Sequence, residues 1–121
     1  MNHTAPVVSG HGRGKLLGYP TFNLIIPKDL TDPYGIYAAW VWINGTRYAG
    51  ALHFGPIPTF NNDSPTLEVF VLSYKDEEKV SEITFELAGY LREIRHFPTP
   101  EALSDQIDKD VLAVRALLHG Q

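Results

Sequence analysis

The sequence contains no cysteine, which excludes disulfide bridges and thiolate metal sites from these 121 residues. This composition suits a reducing compartment, so we expect a cytoplasmic protein. No apolar run approaches the roughly 20 residues of a membrane-spanning helix, and the first residues lack the apolar segment of a signal peptide. We therefore expect no membrane partner.

Positive charge is also scarce, since 10 lysines and arginines stand against 14 aspartates and glutamates, for a formal net charge of −4. Affinity for nucleic acid depends on neutralising phosphates, so we expect no nucleic-acid partner. What is present is ordinary for a globular domain, with 44% hydrophobic and 20% charged residues. The length predicts a single domain over residues 1–121, which we expect to be a monomer.

Strand patterns dominate the middle of the chain. Residues 36–43 form an apolar run that predicts a strand, and the pair Asn44-Gly45 is typical of a type I′ hairpin turn. Residues 46–54 are then expected to form the second strand of the hairpin. The first of these strands is apolar on both faces, which predicts that both are covered, as in a small barrel. Further strands are expected at 67–72 and 83–91, separated by a charged turn at 75–79. Residues 55–65, rich in proline and asparagine, predict a loop.

The C-terminal part changes to a helical period. Thr99 is a suitable N-cap, Pro100 suits the first helical position, and Glu101 favours the helix dipole. Apolar residues then recur at helical spacing: Leu103, Ile107, Val111, Val114 and Leu118. The predicted fold is mainly β, a single closed antiparallel β-barrel with a C-terminal α-helix.

Residues 10–23, GHGRGKLLGYPTFN, form the most informative segment. Its glycines let backbone N–H groups approach an anion closely, and Arg13 and Lys15 add positive charge. Thr21 and Asn23 are two residues apart and share one face of the next predicted strand. Their oxygens suit Mg²⁺ carried by a phosphate. The spacing fits neither a Walker loop nor a dinucleotide fingerprint, so a plain glycine-rich surface turn is an equal alternative from these residues alone.

Three ordered blocks carry a resemblance. The first is 10–23; the second is GPIPTF at 55–60 followed by Leu67-Glu68-Val69; the third is LREIRHF at 91–97, ahead of Gln106 and Asp110. Together they resemble the ATP-dependent riboflavin kinase family, also found as the C-terminal half of bacterial bifunctional riboflavin kinase/FAD synthetases. The resemblance implies a Greek-key barrel that transfers the γ-phosphoryl group of ATP to the ribityl 5′-hydroxyl of riboflavin, giving FMN and ADP.

The resemblance also implies roles for individual residues. Glu68 takes the position of the catalytic base, and Thr21 and Asn23 those of the ligands of Mg²⁺, with Zn²⁺ or Mn²⁺ as alternatives. ATP is expected at Gly10, Gly12, Gly14, Lys15, Val71 and Ser73. Riboflavin is expected at Arg92, Arg95 and Phe97, which lie along one extended segment and are expected to point in one direction.

Most of these residues have structural alternatives. Glu68 shares a strand face with Phe70 and Leu72, and partial removal from water would strengthen it as a base. The residues alone nevertheless favour a structural glutamate at the barrel rim, held by a lysine or arginine. The flavin set could equally be a surface arginine pair beside a core phenylalanine. We expect Trp40 and Trp42 in the core rather than stacked on a flavin, and the five histidines show no zinc-ligand spacing.

Two departures from the family pattern bear on activity. Phe70 stands where the family usually has a histidine two residues after the base, and Glu78-Lys79-Val80 replaces a usual Tyr-Gly. These departures motivate an alternative function, a non-catalytic flavin- or nucleotide-binding module. The sequence also fits a domain excised from a bifunctional FAD synthetase.

Overall fold

A computed structural model describes residues 2–8, 21–57, 62–74 and 79–118 of the chain. Within these ranges the chain forms strands β1 to β6 and one helix, α1. Their bounds are β1 Asn2–Val8, β2 Thr21–Leu24, β3 Gly35–Ile43, β4 Thr46–Ile57, β5 Asn62–Val71, β6 Glu82–Arg92 and α1 Pro100–Leu118. In this part of the chain no helix is long and apolar enough to cross a membrane.

The strands pair antiparallel in the closed order β1-β2-β5-β4-β3-β6, with β6 returning to β1. Strands β3, β4 and β5 follow one another, and β6 crosses back to lie beside β3, which is the Greek-key order. The predicted closed barrel with a C-terminal helix is therefore confirmed. In the described ranges each strand therefore has a neighbour on both sides for at least part of its length.

The β3–β4 hairpin forms as predicted. Asn44 has φ 50° and Gly45 φ 84°, the two positive values that a type I′ turn requires. Pairing then runs without interruption from Ile43 opposite Thr46 to Gly35 opposite Phe54. The twist of this turn matches the twist of the strands, so a local sequence signal determines the register.

The barrel wall separates two hydrophobic clusters. Inward-facing side chains fill the barrel, including Leu52, Val69 and Phe85, each fully buried. Outward-facing side chains of β3 to β5 pack under α1, which contributes Ile107, Val111, Val114 and Leu118. This second cluster explains why β3 is apolar on both faces, as the sequence predicted.

The helix begins as expected. The Ala102 N–H donates to Thr99 Oγ1 at 3.1 Å, and the Leu103 N–H donates to the Thr99 carbonyl at 3.2 Å. Thr99 is therefore the N-cap, and Pro100 loses nothing by lacking an N–H in the first turn.

Three expectations need correction. The predicted loop at 55–65 is largely strand, because Gly55 pairs with Thr66 and Ile57 with Asn62 across an irregular step that accommodates Pro56. Strand β1 was not predicted; it closes the barrel by pairing with β2 and β6.

Trp40 and Trp42 are half-buried rather than core residues. They point outward, and the Arg47 guanidinium lies 4.0 Å from the centre of the Trp40 ring. The predicted charged turn lies outside the described residues except for Lys79.

Candidate active site

A cleft lies on the outer wall of the barrel, between strands β4 and β5 and the N-terminal half of α1. The space within it, counted to the open mouth and including solvent, is about 510 Å³. Its lining is mostly apolar, and its polar members are His53, Glu68, Arg92, Arg95 and Asp110. The apolar members are Ile36, Ala51, Leu52, Phe70, Ile94, Phe97, Leu103 and Ile107.

Glu68 is the most deeply buried acidic residue of this cleft, with 1% of its surface exposed. The sequence predicted that Glu68 and Phe70 share one strand face and that Leu67 and Val69 share the other. The structure places the first face outside the barrel and the second inside it. The carboxylate is withdrawn from water, as expected.

Two polar side chains flank Glu68 from neighbouring strands. Asn23 on β2 and His53 on β4 both stand directly opposite it in the antiparallel registers. Directly opposite residues share one face of a sheet, with Cβ atoms about 5 Å apart. The outer wall thus carries a row of three polar residues across β2, β5 and β4.

Thr21 and Asn23 lie on the outer face of β2, since Phe22 and Leu24 between and after them pack into the barrel. Thr21 is opposite Phe70, and Asn23 is opposite Glu68. The Thr21 hydroxyl and Asn23 amide oxygens are hard donors, so these two residues fit Mg²⁺. The predicted phosphate-binding residues Gly10, Gly12, Gly14 and Lys15 lie outside the described residues.

The three predicted flavin residues meet at one end of the cleft. The guanidinium carbons of Arg92 and Arg95 lie 5.6 and 5.7 Å from the centre of the Phe97 ring. An extended segment would point Arg92 and Arg95 to opposite sides, because they are three residues apart. They converge because β6 ends at Arg92 and both guanidinium groups bind side chains of α1. Phe97 is half-buried in the cleft rather than a core residue.

Asp110 organises this end of the cleft. Arg92 donates to it through Nε at 2.9 Å and Nη2 at 2.8 Å, a bidentate pair, while Gln106 Nε2 donates at 3.0 Å. Gln106 in turn accepts from Arg95 Nη2 at 2.8 Å. Arg92 Nη1 donates to the Glu93 carbonyl at 3.0 Å. The segment after β6 is therefore attached to α1 by charge-assisted hydrogen bonds.

Val71 and Ser73, the two expected ATP residues that the structure describes, differ in placement. Val71 is fully buried in the barrel interior, so its side chain does not face the outer wall. Any contact of Val71 with ATP would involve main-chain atoms. Ser73 is exposed, has φ 64°, and borders a separate surface hollow with Trp40, Arg47 and Arg115.

The sequence analysis gave no role to two residues of the site. His53 is identified only by the register of β4 against β5, for which the sequence carries no signal. Asp110 was named only as part of the third block, although it follows Ile107 by three positions and therefore lies on the buried face of the helix. An acidic residue on that face requires a partner, and Arg92 supplies it.

Comparison with known sequences finds riboflavin kinases similar to this chain. The chain is 32% identical over 108 residues to the bifunctional riboflavin kinase/FMN adenylyltransferase of Bacillus subtilis strain 168, covering 86% of this chain and 34% of that protein. It is 28% identical over 154 residues to a riboflavin kinase of Lodderomyces elongisporus, covering 100% of this chain and 85% of that protein. The chain thus spans about a third of the bifunctional bacterial relative.

Solved structures support the fold. The crystal structure of riboflavin kinase from Trypanosoma brucei superposes with a TM-score of 0.64 at 22% identity, covering 98% of this chain and 79% of that one. A Streptococcus pneumoniae chain named a macrolide-efflux protein superposes with a TM-score of 0.80 at 24% identity, covering 94% and 38%. The family profile of flavokinase, described as riboflavin kinase, matches residues 1–118. The chain belongs to the flavokinase family of riboflavin kinases.

Proposed function

We propose that the chain catalyses transfer of the γ-phosphoryl group of ATP to the 5′-hydroxyl of riboflavin, forming FMN and ADP. The observation that carries the proposal is the placement of Glu68. A carboxylate with 1% of its surface exposed stands beside an oxygen-rich strand face and borders a largely apolar cleft. The reaction is inferred from family membership, and the cleft beside Glu68 is the proposed place where the substrates bind.

Glu68 is the proposed general base. The ribityl oxygen forms a bond to the γ-phosphorus while the bond from that phosphorus to the β,γ-bridging oxygen breaks. The hydroxyl proton passes to the Glu68 carboxylate, and ADP leaves with the bridging oxygen. Such transfers depend mainly on positioning and on neutralising charge. A base held in a dry site contributes through both orientation and proton transfer.

Thr21 and Asn23 are the proposed holders of Mg²⁺, with Zn²⁺ and Mn²⁺ as alternatives. When bound, the ion would neutralise charge on the ATP phosphates. Gly10, Gly12, Gly14 and Lys15 are proposed to contact those phosphates, since glycine permits close backbone approach and lysine adds charge.

The opposite end of the cleft is the proposed flavin site. Phe97 offers an aromatic ring, and the two arginine planes beside it suit a flat, polar ring system. Three donor nitrogens of Arg92 are already engaged by Asp110 and Glu93. We therefore assign Arg92 a packing and orienting role, and the more exposed Arg95 the hydrogen bonds to the ligand. The absence of cysteine suits a reducing compartment, so the cytoplasm is the proposed location. The proposed oligomeric state is a monomer.

The alternative function is a flavin-binding module without catalysis. It is favoured by Phe70, which adds no polar group beside Glu68, and by Lys79-Val80 in place of a usual Tyr-Gly. The carboxylate expected of the base and the oxygen donors expected of the metal ligands are nevertheless present in this chain, at Glu68, Thr21 and Asn23.

The test is incubation of the purified protein with riboflavin, ATP and Mg²⁺, followed by chromatographic separation of the flavins. FMN that forms only when nucleotide and metal are present supports the kinase. Glu68→Gln should lower kcat by about 10²- to 10⁴-fold and leave riboflavin affinity within a few fold. Glu82→Gln, an exposed glutamate at the start of β6, is the control and should match wild type. Flavin binding without FMN under every donor and metal would favour the binding module.

A further inference from the structure

We propose that His53 is a positioning residue that holds the Glu68 carboxylate in its reactive orientation. The proposal rests on the function proposed above for Glu68. His53 stands directly opposite Glu68 in the β4–β5 register, and both side chains border the cleft. With Cβ atoms about 5 Å apart, an imidazole and a carboxylate in this arrangement are within contact distance.

The imidazole of His53 is itself held in place. Its Nε2 lies 3.0 Å from the carbonyl oxygens of both Gly55 and Pro56. Carbonyl oxygens only accept hydrogen bonds, so Nε2 carries the hydrogen and donates it. This arrangement fixes the ring plane and leaves Nδ1 as the nitrogen available to Glu68. A carboxylate only accepts hydrogen bonds, so the proposed ring is the imidazolium, which carries a hydrogen on each nitrogen and donates the one on Nδ1 to Glu68.

The backbone that holds the ring is also constrained. Gly55 has φ 134°, a conformation that residues with a Cβ rarely adopt, and an added Cβ would lie 2.4 Å from Ile94 Cδ1. The Gly55 carbonyl accepts a further hydrogen bond from Thr66 Oγ1 at 3.2 Å. The end of β4 thus presents a preformed acceptor pair to the imidazole of His53.

Burial of Glu68 makes such a neighbour necessary. A carboxylate removed from water is costly unless polar groups surround it. On its own strand one outward neighbour, Phe70, is apolar, and the other, Thr66, donates its hydroxyl hydrogen to the Gly55 carbonyl. Asn23 and His53 on the adjacent strands are therefore the polar residues that face Glu68 from either side. An imidazole across the strand lies nearer to Glu68 than one at position 70, because outward residues of one strand are almost 7 Å apart. His53 thereby supplies the polar neighbour that Phe70 does not.

The first test is kinetic. His53→Leu should lower kcat by about 10- to 100-fold, the effect of misplacing a reacting group, with KM for riboflavin within about threefold. His96→Leu, an exposed histidine on the segment after β6, is the control and should match wild type. If His53 acts through Glu68, then His53→Leu added to Glu68→Gln should cause no further loss. Multiplicative losses, or wild-type kcat in His53→Leu, would overturn the proposal.

The second test does not depend on activity. The His53 resonances in a ¹⁵N-imidazole NMR spectrum can be identified by their loss in His53→Leu or, should that variant not fold, in His53→Asn. They should show both ring nitrogens protonated, and they should shift in Glu68→Gln. A ring nitrogen without a hydrogen, or resonances that do not move, would contradict the assignment. Absence of FMN formation by the wild type would refute the proposed function alone, because the NMR result still decides whether His53 and Glu68 are coupled.

Discussion

Replacing Asp110 with alanine should destabilise the protein by about 3 kcal/mol and loosen the segment that carries Arg95 and Phe97. Asp110 accepts three hydrogen bonds, two from the Arg92 guanidinium and one from Gln106. The side chains of the ion pair are 15% and 6% exposed, so water cannot readily replace the lost partner. Removal of one member of a buried ion pair typically costs about 3–5 kcal/mol.

The lower end of that range is expected here. Without Asp110, Arg92 keeps its hydrogen bond to the Glu93 carbonyl and some contact with water, so its charge still has polar neighbours. For a domain of 121 residues, a loss of about 3 kcal/mol lowers Tm by roughly 10 °C. The double variant Arg92→Met/Asp110→Leu should regain much of the loss, since it leaves no buried charge without a partner.

Urea denaturation followed by tryptophan fluorescence measures this free energy, and quenching of riboflavin fluorescence measures binding in the same samples. Asp105→Ala, an exposed acid on the same helix, is the matched control and should stay within about 0.5 kcal/mol of wild type. A loss below about 1 kcal/mol for Asp110→Ala, or a double variant no more stable than the single one, would refute the reasoning.

Three further predictions concern the barrel. Gly45→Ala should lower the free energy of unfolding, measured by urea denaturation, by about 1–2 kcal/mol. The cause is the φ of 84°, which strains alanine, since no atom lies within 4 Å of the added Cβ; an unchanged free energy would contradict the turn assignment. Leu52→Ala, in the buried core, should lower the free energy of unfolding by about 2–5 kcal/mol, whereas Leu112→Ala, at an exposed position, should lower it by less than about 0.5 kcal/mol. Equal losses in the two variants would contradict the assigned core. Burial, aided by the charge of Asp32, raises the pKa of Tyr37 above 10.0. Ionisation then favours the unfolded chain, so stability should fall as pH rises above about 10, less steeply in Tyr37→Phe; identical pH profiles would refute this.

Local sequence signals predicted much of the fold. The Asn44-Gly45 pair identified the hairpin because a type I′ turn needs two positive φ values that few residue pairs adopt. Thr99 and Pro100 identified the helix start through the unpaired N–H groups of a first turn. The alternation around Glu68 placed it on one strand face with Phe70 and Leu72. Each of these signals depends on a few consecutive residues.

Features made by strand pairing over long separations were not predictable in this way. Strand β1 exists because β6, some 80 residues later, needs a partner to close the barrel. The extension of β4 past Pro56 depends on its pairing with β5, which the composition of residues 55–65 argued against. A loop composition is only a local preference, and an available strand edge outweighs it.

The candidate site divides along the same line. The sequence by itself determined which chemical groups are present: an oxygen-bearing strand, a carboxylate on an apolar face, and two arginines near a phenylalanine. Only the tertiary structure decided their neighbours, placing Asn23 and His53 on either side of Glu68 and joining Arg92 to Asp110. The reason is physical: side-chain type and strand face follow from consecutive residues, whereas register and helix docking are set by the packing of the whole barrel.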